Sequence, residues 1–267
     1  PSSPIPNPQS LTPPAPAVAP FDSKKAREHQ EAWAKHLGVP VEMTNSIGMK
    51  FVLIPPGEFV MGSSEQEIAQ LVATAKKIGN VGAFSDKWLE RARIEGPQHK
   101  VRITKPFYVG AQEVTVAQFR RFVEATGYRT EAEASKAGGL GVTKPFRGVA
   151  VQQADFVWSK PSIEQSGDHP VVQVTWNDAV RFCAWLAEHD QARHCLPTEA
   201  QWEYACRAGS TTRWSSGDDE ARTSAEIWCG GRLGWVIWFC RRLSGDRGFG
   251  WCTCSGAGRS FLCVAIP

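Results

Sequence analysis

The sequence predicts an α+β domain of short strands and isolated helices joined by many loops. Three observations predict it. Strand-prone runs alternate apolar and polar residues over only four or five positions, as in "KFVLI" and "HKVRI". Several helices open on the same threonine device and close on a glycine. No regular strand–helix–strand alternation runs through the chain, which argues against a parallel doubly wound sheet.

The elements follow in order. Residues 1–20, "PSSPIPNPQSLTPPAPAVAP", hold eight of the eighteen prolines and no charge. This reads as an extended Pro-rich linker that buries no core. Over 21–40, "FDSKKAREHQEAWAKHLG" reads as a helix lying on the domain surface. Asp22 or Ser23 caps it, Gly38 ends it, and Pro40 prevents its resumption. In "MKFVLIPPGEFVMGS" two β-prone runs flank the turn residues Pro55-Pro56-Gly57. The period then changes. Ile68, Leu71, Val72 and Ala75 share one helical face behind a Ser64–Glu67 capping box, with Gly79 as the stop. Alternation returns in "HKVRITKPFYVGAQEVT", where Val101, Ile103, Phe107 and Val109 are expected on one side.

Three helix starts share one design: Thr115–Gln118, Thr175–Asp178 and Thr198–Gln201. In each, the threonine oxygen accepts the orphan N–H three residues on, and the acid or amide reaches back. The first carries Phe119, Phe122 and Val123 and is closed by Gly127. The second carries Ala179, Phe182, Cys183 and Leu186. The third carries Trp202, Ala205 and Cys206 and is closed by Gly209. One apolar face per helix predicts that Trp176, Phe182, Leu186, Trp202 and Cys206 are buried together. Residues 128–170, rich in Gly, Lys and Pro and without clear period, read as a long ordered loop, a usual place for binding residues.

Composition bounds the function. The 267 residues suffice for one large domain or two small ones, and 42% are hydrophobic. A net charge of +3 leaves no basic footprint for nucleic acid. The longest late apolar run, "GWVIWFC", is far shorter than the roughly eighteen residues of a membrane span. Without an initiator Met or a signal-peptide pattern, the chain reads as a piece of something longer. Eight cysteines, at 183, 195, 206, 229, 240, 252, 254 and 263, make no C-x-x-C, which weakens a structural zinc reading. They leave the redox compartment open.

Four phrases, "FVLIPPGEFVMGS", "PQHKVRITKPFYVGAQEVTVAQFRRFV", "HPVVQVTWNDAVRFCAWL" and "LPTEAQWEYACRAG", occur in this order over roughly residues 45–218. Together they resemble the sulfatase-modifying factor family, whose founding member is the formylglycine-generating enzyme. The resemblance implies an irregular C-type-lectin-like α+β fold with little regular secondary structure. It also implies oxidation of a sulfatase cysteine to formylglycine with molecular oxygen and copper, calcium in intact members, and a sulfatase or other peptide as partner. Many members are fused behind kinase or other signalling domains, which suits the proline-rich start and an upstream domain. Residues 41–227 are thus expected to form an incomplete domain of this family. An alternative is a non-catalytic lectin-like module that holds a peptide or other ligand.

The chain also departs from the family pattern. The resemblance stops near Asp218-Asp219, and the late phrases of the type "N-V-W-E-W" and "R-G-G-S-W" are missing. Oxidation in the family needs a late thiolate pair separated by four residues to hold soft Cu(I), and no two cysteines here have that spacing. Cys252 and Cys254 are separated by one residue. Cys183 and Cys206 match positions that form structural disulfides in some members, whose partners lie in the missing part. Residues 228–267 hold four tryptophans, five cysteines, five arginines and one acid. That composition suits GC-rich codons read out of frame from about residues 215–227; a genuine divergent tail is the alternative. Either way the tail is expected to pack poorly and to form little regular structure.

No catalytic, cofactor-binding or metal-binding residue is therefore assigned in this chain, and no cofactor. Asp168-His169-Pro170 reads as a loop before a strand rather than half of a nucleophile system. His189, His194 and Cys195 make a poor metal set, because adjacent residues rarely reach one ion. Asp218-Asp219-Glu220 reads as a solvated acidic turn rather than a calcium site. Gly138-Gly139-Leu-Gly141 is not set between a strand and a helix, as a phosphate cradle would be. Trp158 and Phe146 are candidates to line a groove, although core packing is the commoner fate of aromatics. "LPTEAQWEYACRAG" itself reads as scaffold.

Overall fold

The structure, a computed structural model, describes residues 12–78, 93–142, 150–212 and 263–265. Its elements are β1 (Ala17–Val18), α1 (Ser23–Leu37), β2 (Glu42–Thr44), β3 (Lys50–Ile54), β4 (Gly57–Met61), α2 (Glu65–Ile78), β5 (His99–Ile103) and β6 (Phe107–Gly110). They continue with α3 (Val116–Thr126), α4 (Glu131–Ala134), β7 (Gly139–Val142), β8 (Ala150–Gln153), α5 (Trp176–Asp190), β9 (His194–Cys195), α6 (Glu199–Arg207) and β10 (Cys263–Ala265). The class is α+β, as expected.

Two sheets organise the domain. One runs β2-β3-β6-β10-β9, antiparallel throughout, and the other β1-β4-β5; β7 and β8 form a separate antiparallel pair. The Pro55-Pro56 turn carries the chain from β3 in the first sheet to β4 in the second, so the two runs flanking it do not pair with each other. Proline has no N–H to donate, which ends the first ladder there.

The main core lies between Phe51 and Leu53 of β3 and the helices. Phe119, Phe122, Phe182 and Leu186 fill it, each at most 2% exposed. A second core joins Phe59, Met61, Ile103 and Phe107 to Tyr204 of α6. Val101 and Val109 pack against this cluster too, so the side predicted for the 101–109 alternation is found.

Local signals act as read. Asp22 accepts from the Lys25 N–H at 2.8 Å, and Gly38 ends α1 in the left-handed region at φ 68°. Ser64 and Glu67 exchange the bonds of a capping box, as do Thr115 with Gln118, Thr175 with Asp178 and Thr198 with Gln201. Gly79 lies outside the described residues.

Several expectations need correction. Trp33 and Ala34 of α1 are buried in the main core, so the helix is gripped on one side and not merely laid on the surface. The linker segment ends in β1, where Ala17 is fully buried and pairs with Gly57. Residues 128–170 contain α4 and the β7–β8 pair rather than one long loop, and α4 opens on a fourth capping box, Thr130–Glu133. α6 ends at Ala208, φ 47°, one residue before Gly209.

The expected cluster also changes. Phe182, Leu186 and Trp202 are buried, but Trp176 is 69% exposed and Cys206 is exposed. α6 buries Glu203 and Tyr204 beside Trp202 instead. Three residues of the tail, Cys263–Ala265, form a strand between β6 and β9, with the rest of 228–267 outside the described residues.

Candidate functional site

Three acids, Asp178 and Asp190 near the two ends of α5 and Glu203 in the middle of α6, gather long-range polar contacts. Asp178, fully buried at the start of α5, accepts from the Thr175 N–H at 2.7 Å, the Tyr128 hydroxyl at 2.9 Å and the Glu131 N–H at 3.1 Å. The capping residue thereby also ties down the segment that opens α4. Burial first, then the bond to Asp178, pushes the Tyr128 phenol up to about 12.

Asp190 ends α5. It accepts from Asn45 Nδ2 at 3.0 Å and from the Ser46 hydroxyl, and its Oδ2 sits 2.9 Å from Nε2 of buried His194. Burial lowers the His194 pKa, against the opposing pull of Asp190. The order serine–acid–histidine does not make a nucleophile: a base must touch the hydroxyl it deprotonates, and here the acid stands between.

Glu203 is the third. Its Oε1 accepts from the Gly62 N–H at 2.9 Å and pairs with Arg207 at 2.8 Å, while Arg207 also donates to the Gly62 and Thr212 carbonyls. α6 is thus clamped to the end of β4. Sequence reading missed all three hubs. The acids at positions 178 and 203 were visible only as cap and helix residues, and their distant partners carry no sequence signal.

The candidates named from sequence are dispersed. His169 Nδ1 accepts from the Ser166 N–H at 2.9 Å within an exposed turn. His189 stacks on Trp185 with ring centroids 5.1 Å apart. Among the described residues no three His, Cys, Asp or Glu side chains gather as a metal would need. Gly138 and Gly139 serve packing: a Cβ would overlap the Gln153 carbonyl at the first and the Gln173 amide at the second. Trp158 is 6% exposed and meets Phe119 edge-on, so it belongs to the core rather than a groove. Phe146, Cys252, Cys254 and Asp218-Asp219-Glu220 lie outside the described residues.

The described thiols are spread over three elements. Cys183 on α5 is buried, Cys195 on β9 is half-buried, and Cys206 on α6 is exposed. Burial, with the neighbouring Cys195 adding to it, pushes the Cys183 thiol up to about 12. Copper bound through thiolates does not fit this set.

The family model described as "Sulfatase-modifying factor enzyme 1-like domain" matches residues 38–240. This chain belongs to that family. The match runs past Asp218-Asp219, where the resemblance was expected to stop. The chain is similar to the formylglycine-generating enzyme of Bos taurus, 33% identical over 208 residues, covering 68% of this chain and 46% of the bovine protein. It is also similar to that of Mycobacterium tuberculosis, 36% identical over 179 residues, covering 53% of this chain and 58% of the relative. A third relative is the "Inactive C-alpha-formylglycine-generating enzyme 2" of Bos taurus, 30% identical over 187 residues, covering 63% of this chain and 52% of the relative. The chain spans about half the length of these family members. Among the described residues no helix is long and apolar enough to cross a membrane.

Proposed function

We propose that residues 1–267 carry the sulfatase-modifying factor scaffold without the oxidation of a peptide cysteine to formylglycine. The observation behind this reading is the cysteine spacing: no two cysteines of the chain are separated by four residues. Soft thiolate ligands are what would hold Cu(I), so the chain lacks the donor pair that the reaction needs in the family. A relative described as inactive supports the reading that the scaffold persists without the chemistry. The test supplies copper, oxygen and a sulfatase-derived peptide and follows the peptide by mass spectrometry. An unchanged cysteine is expected; aldehyde formation above a copper-only control would overturn the reading.

A second reading is a non-catalytic module that holds a peptide. Trp176 supports it: it stands 69% exposed at the start of a helix, one turn from the exposed Val180, and a tryptophan offers a large contact area to a ligand. Titrating the same peptide into wild type and Trp176→Ala, with binding read by calorimetry, tests it. Equal heats for the two proteins would remove Trp176 from any such role.

A further inference from the structure

Residues 15–21 lie in a groove that the domain is shaped to receive. The Ala17 N–H donates to the Pro56 carbonyl at 2.9 Å and the Ala19 N–H to the Glu58 carbonyl at 3.1 Å, so β1 adds a parallel strand to the edge of β4. The Phe21 N–H donates to the Gly209 carbonyl at 3.0 Å, and Trp33 Nε1 donates to the Ala15 carbonyl at 3.3 Å. α1, β4 and the residue after α6 thus all present partners to one extended segment. Two glycines make the room. A Cβ at Gly57 would stand 2.1 Å from the Ala17 carbonyl oxygen, and one at Gly209 would stand 2.2 Å from the Phe21 ring. The grip is narrow. Ala17 is fully buried and Ala19 packs against the second core, while Ala15, Pro16, Val18 and Pro20 are exposed. Segments with few buried contacts are the first to open.

We propose that this groove is a peptide-docking site, occupied in cis by the chain's own residues 15–21, from which an extended peptide of the same chemistry displaces them. The mode is strand addition at a sheet edge, where main-chain hydrogen bonds hold the peptide and alternate side chains select it. The contacts set the selection. The site takes an extended, proline-bearing apolar segment with a small residue against Gly57 and an aromatic ring four positions later against Gly209. A longer side chain at position 17 has no room, because Ala17 is fully buried. Prolines 13, 14, 16 and 20 keep the segment extended before it docks, which lowers the ordering cost. The resident segment is a strong competitor, since a ligand on a short tether has an effective concentration on the order of millimolar. A peptide at micromolar concentration therefore enters when the strap is weakened. The site rests on neither the missing thiolate pair nor Trp176.

The test uses the full chain and a fluorescent peptide with the sequence of residues 12–22, "TPPAPAVAPFD". Ala17→Asp puts a charge at the fully buried position and so expels the strap. Phe21→Ala weakens the strap more gently, at its Gly209 end. Fluorescence anisotropy follows binding, and the thermal midpoint with and without excess peptide follows rescue. Both variants should bind the peptide at least about tenfold more tightly than wild type, since apparent affinity scales with the open fraction of the site. Excess peptide should also raise their thermal midpoints. The same peptide carrying Ala17→Asp should do neither. If Ala17→Asp does not fold alone, its rescue by the peptide still reads the site, and Phe21→Ala supplies the binding curve. Equal affinity for wild type and Phe21→Ala, or neither binding nor rescue in either variant, would overturn the proposal.

Discussion

The Tyr128 hydroxyl donates to Oδ1 of Asp178 across 2.9 Å, linking the chain after α3 to the first turn of α5. Asp178 is fully buried and holds two backbone N–H groups besides. Asp178→Ala leaves all three donors without an acceptor and should cost about 3 kcal/mol or more. Tyr128→Phe removes one bond to a charged group and should cost about 1.5–3 kcal/mol. Denaturant unfolding measures both, and a neutral Asp178→Ala would show that the hub is dispensable.

The chain has three tyrosines, and each is held above its ordinary pKa. Burial is the leading cause at all three, with Tyr128 and Tyr204 pushed up to about 12. A phenol whose folded pKa is raised contributes its full stability below the unfolded value near 10. That stability is lost as pH climbs from there towards the folded value, since the unfolded chain ionises first. Tyrosinate absorbance should therefore lag a denatured control through pH 10–11, a window set by the same unfolded value. Overlapping titration curves would contradict this.

His194 gives an acid-side prediction of opposite sense. Its pKa is lowered by burial, so the neutral ring is favoured in the fold. Stability is intact above the unfolded pKa of about 6.5 and falls as pH drops below it, because the unfolded chain takes up the proton more readily. The thermal midpoint should decline between pH 7 and pH 5, values chosen to bracket that unfolded pKa. His194→Gln should flatten the decline; an unchanged slope would assign it to other groups.

Glu203 and Arg207 should behave as a unit. Glu203→Ala leaves a largely buried guanidinium without its partner and should cost about 3–5 kcal/mol. The double variant Glu203→Ala, Arg207→Ala should cost less than the sum of the singles. Additive losses in a double-mutant cycle would mean that the pair is not coupled.

Phe182 stacks on Phe119 at 5.8 Å and meets Phe122 edge-on at 5.6 Å. Phe182→Ala should cost about 3–5 kcal/mol by the cavity it opens. Trp176→Ala, six residues earlier on the same helix, should stay within about 0.5 kcal/mol. Chemical denaturation compares them directly, and similar losses would refute the difference in packing.

That contrast shows what the sequence could and could not reveal. Capping boxes are local chemistry, so Ser64, Thr115, Thr175 and Thr198 were readable as helix starts. Thr130 is not legible as a helix start, because its surroundings have no apolar period to announce a helix four residues long. Trp176 stands beside an apolar run, which points it inward. At about 100° per residue, however, Ala179, Phe182, Cys183 and Leu186 centre on a face from which Trp176 is about 70° away. The same rule points Cys206 inward, yet α6 is held along its Glu203 and Tyr204 side by β4 and the second core. The hubs at Asp178, Asp190 and Glu203 join residues far apart in sequence, which no periodicity can register. The tail gave no period at all, and a three-residue strand needs none when both neighbouring strands are already in place.

The place of β10 has a consequence for the order of assembly. During synthesis β6 and β9 leave the ribosome long before the segment that lies between them. Until residue 265 is free, β9 has no described strand to pair with and β6 offers an open edge beside β3. Closing the sheet is then a long-range step, and such steps are slow because the loop entropy is spent before the contact forms. In that interval the gap beside β6 is a template for any strand that arrives first, including the last strand of another copy.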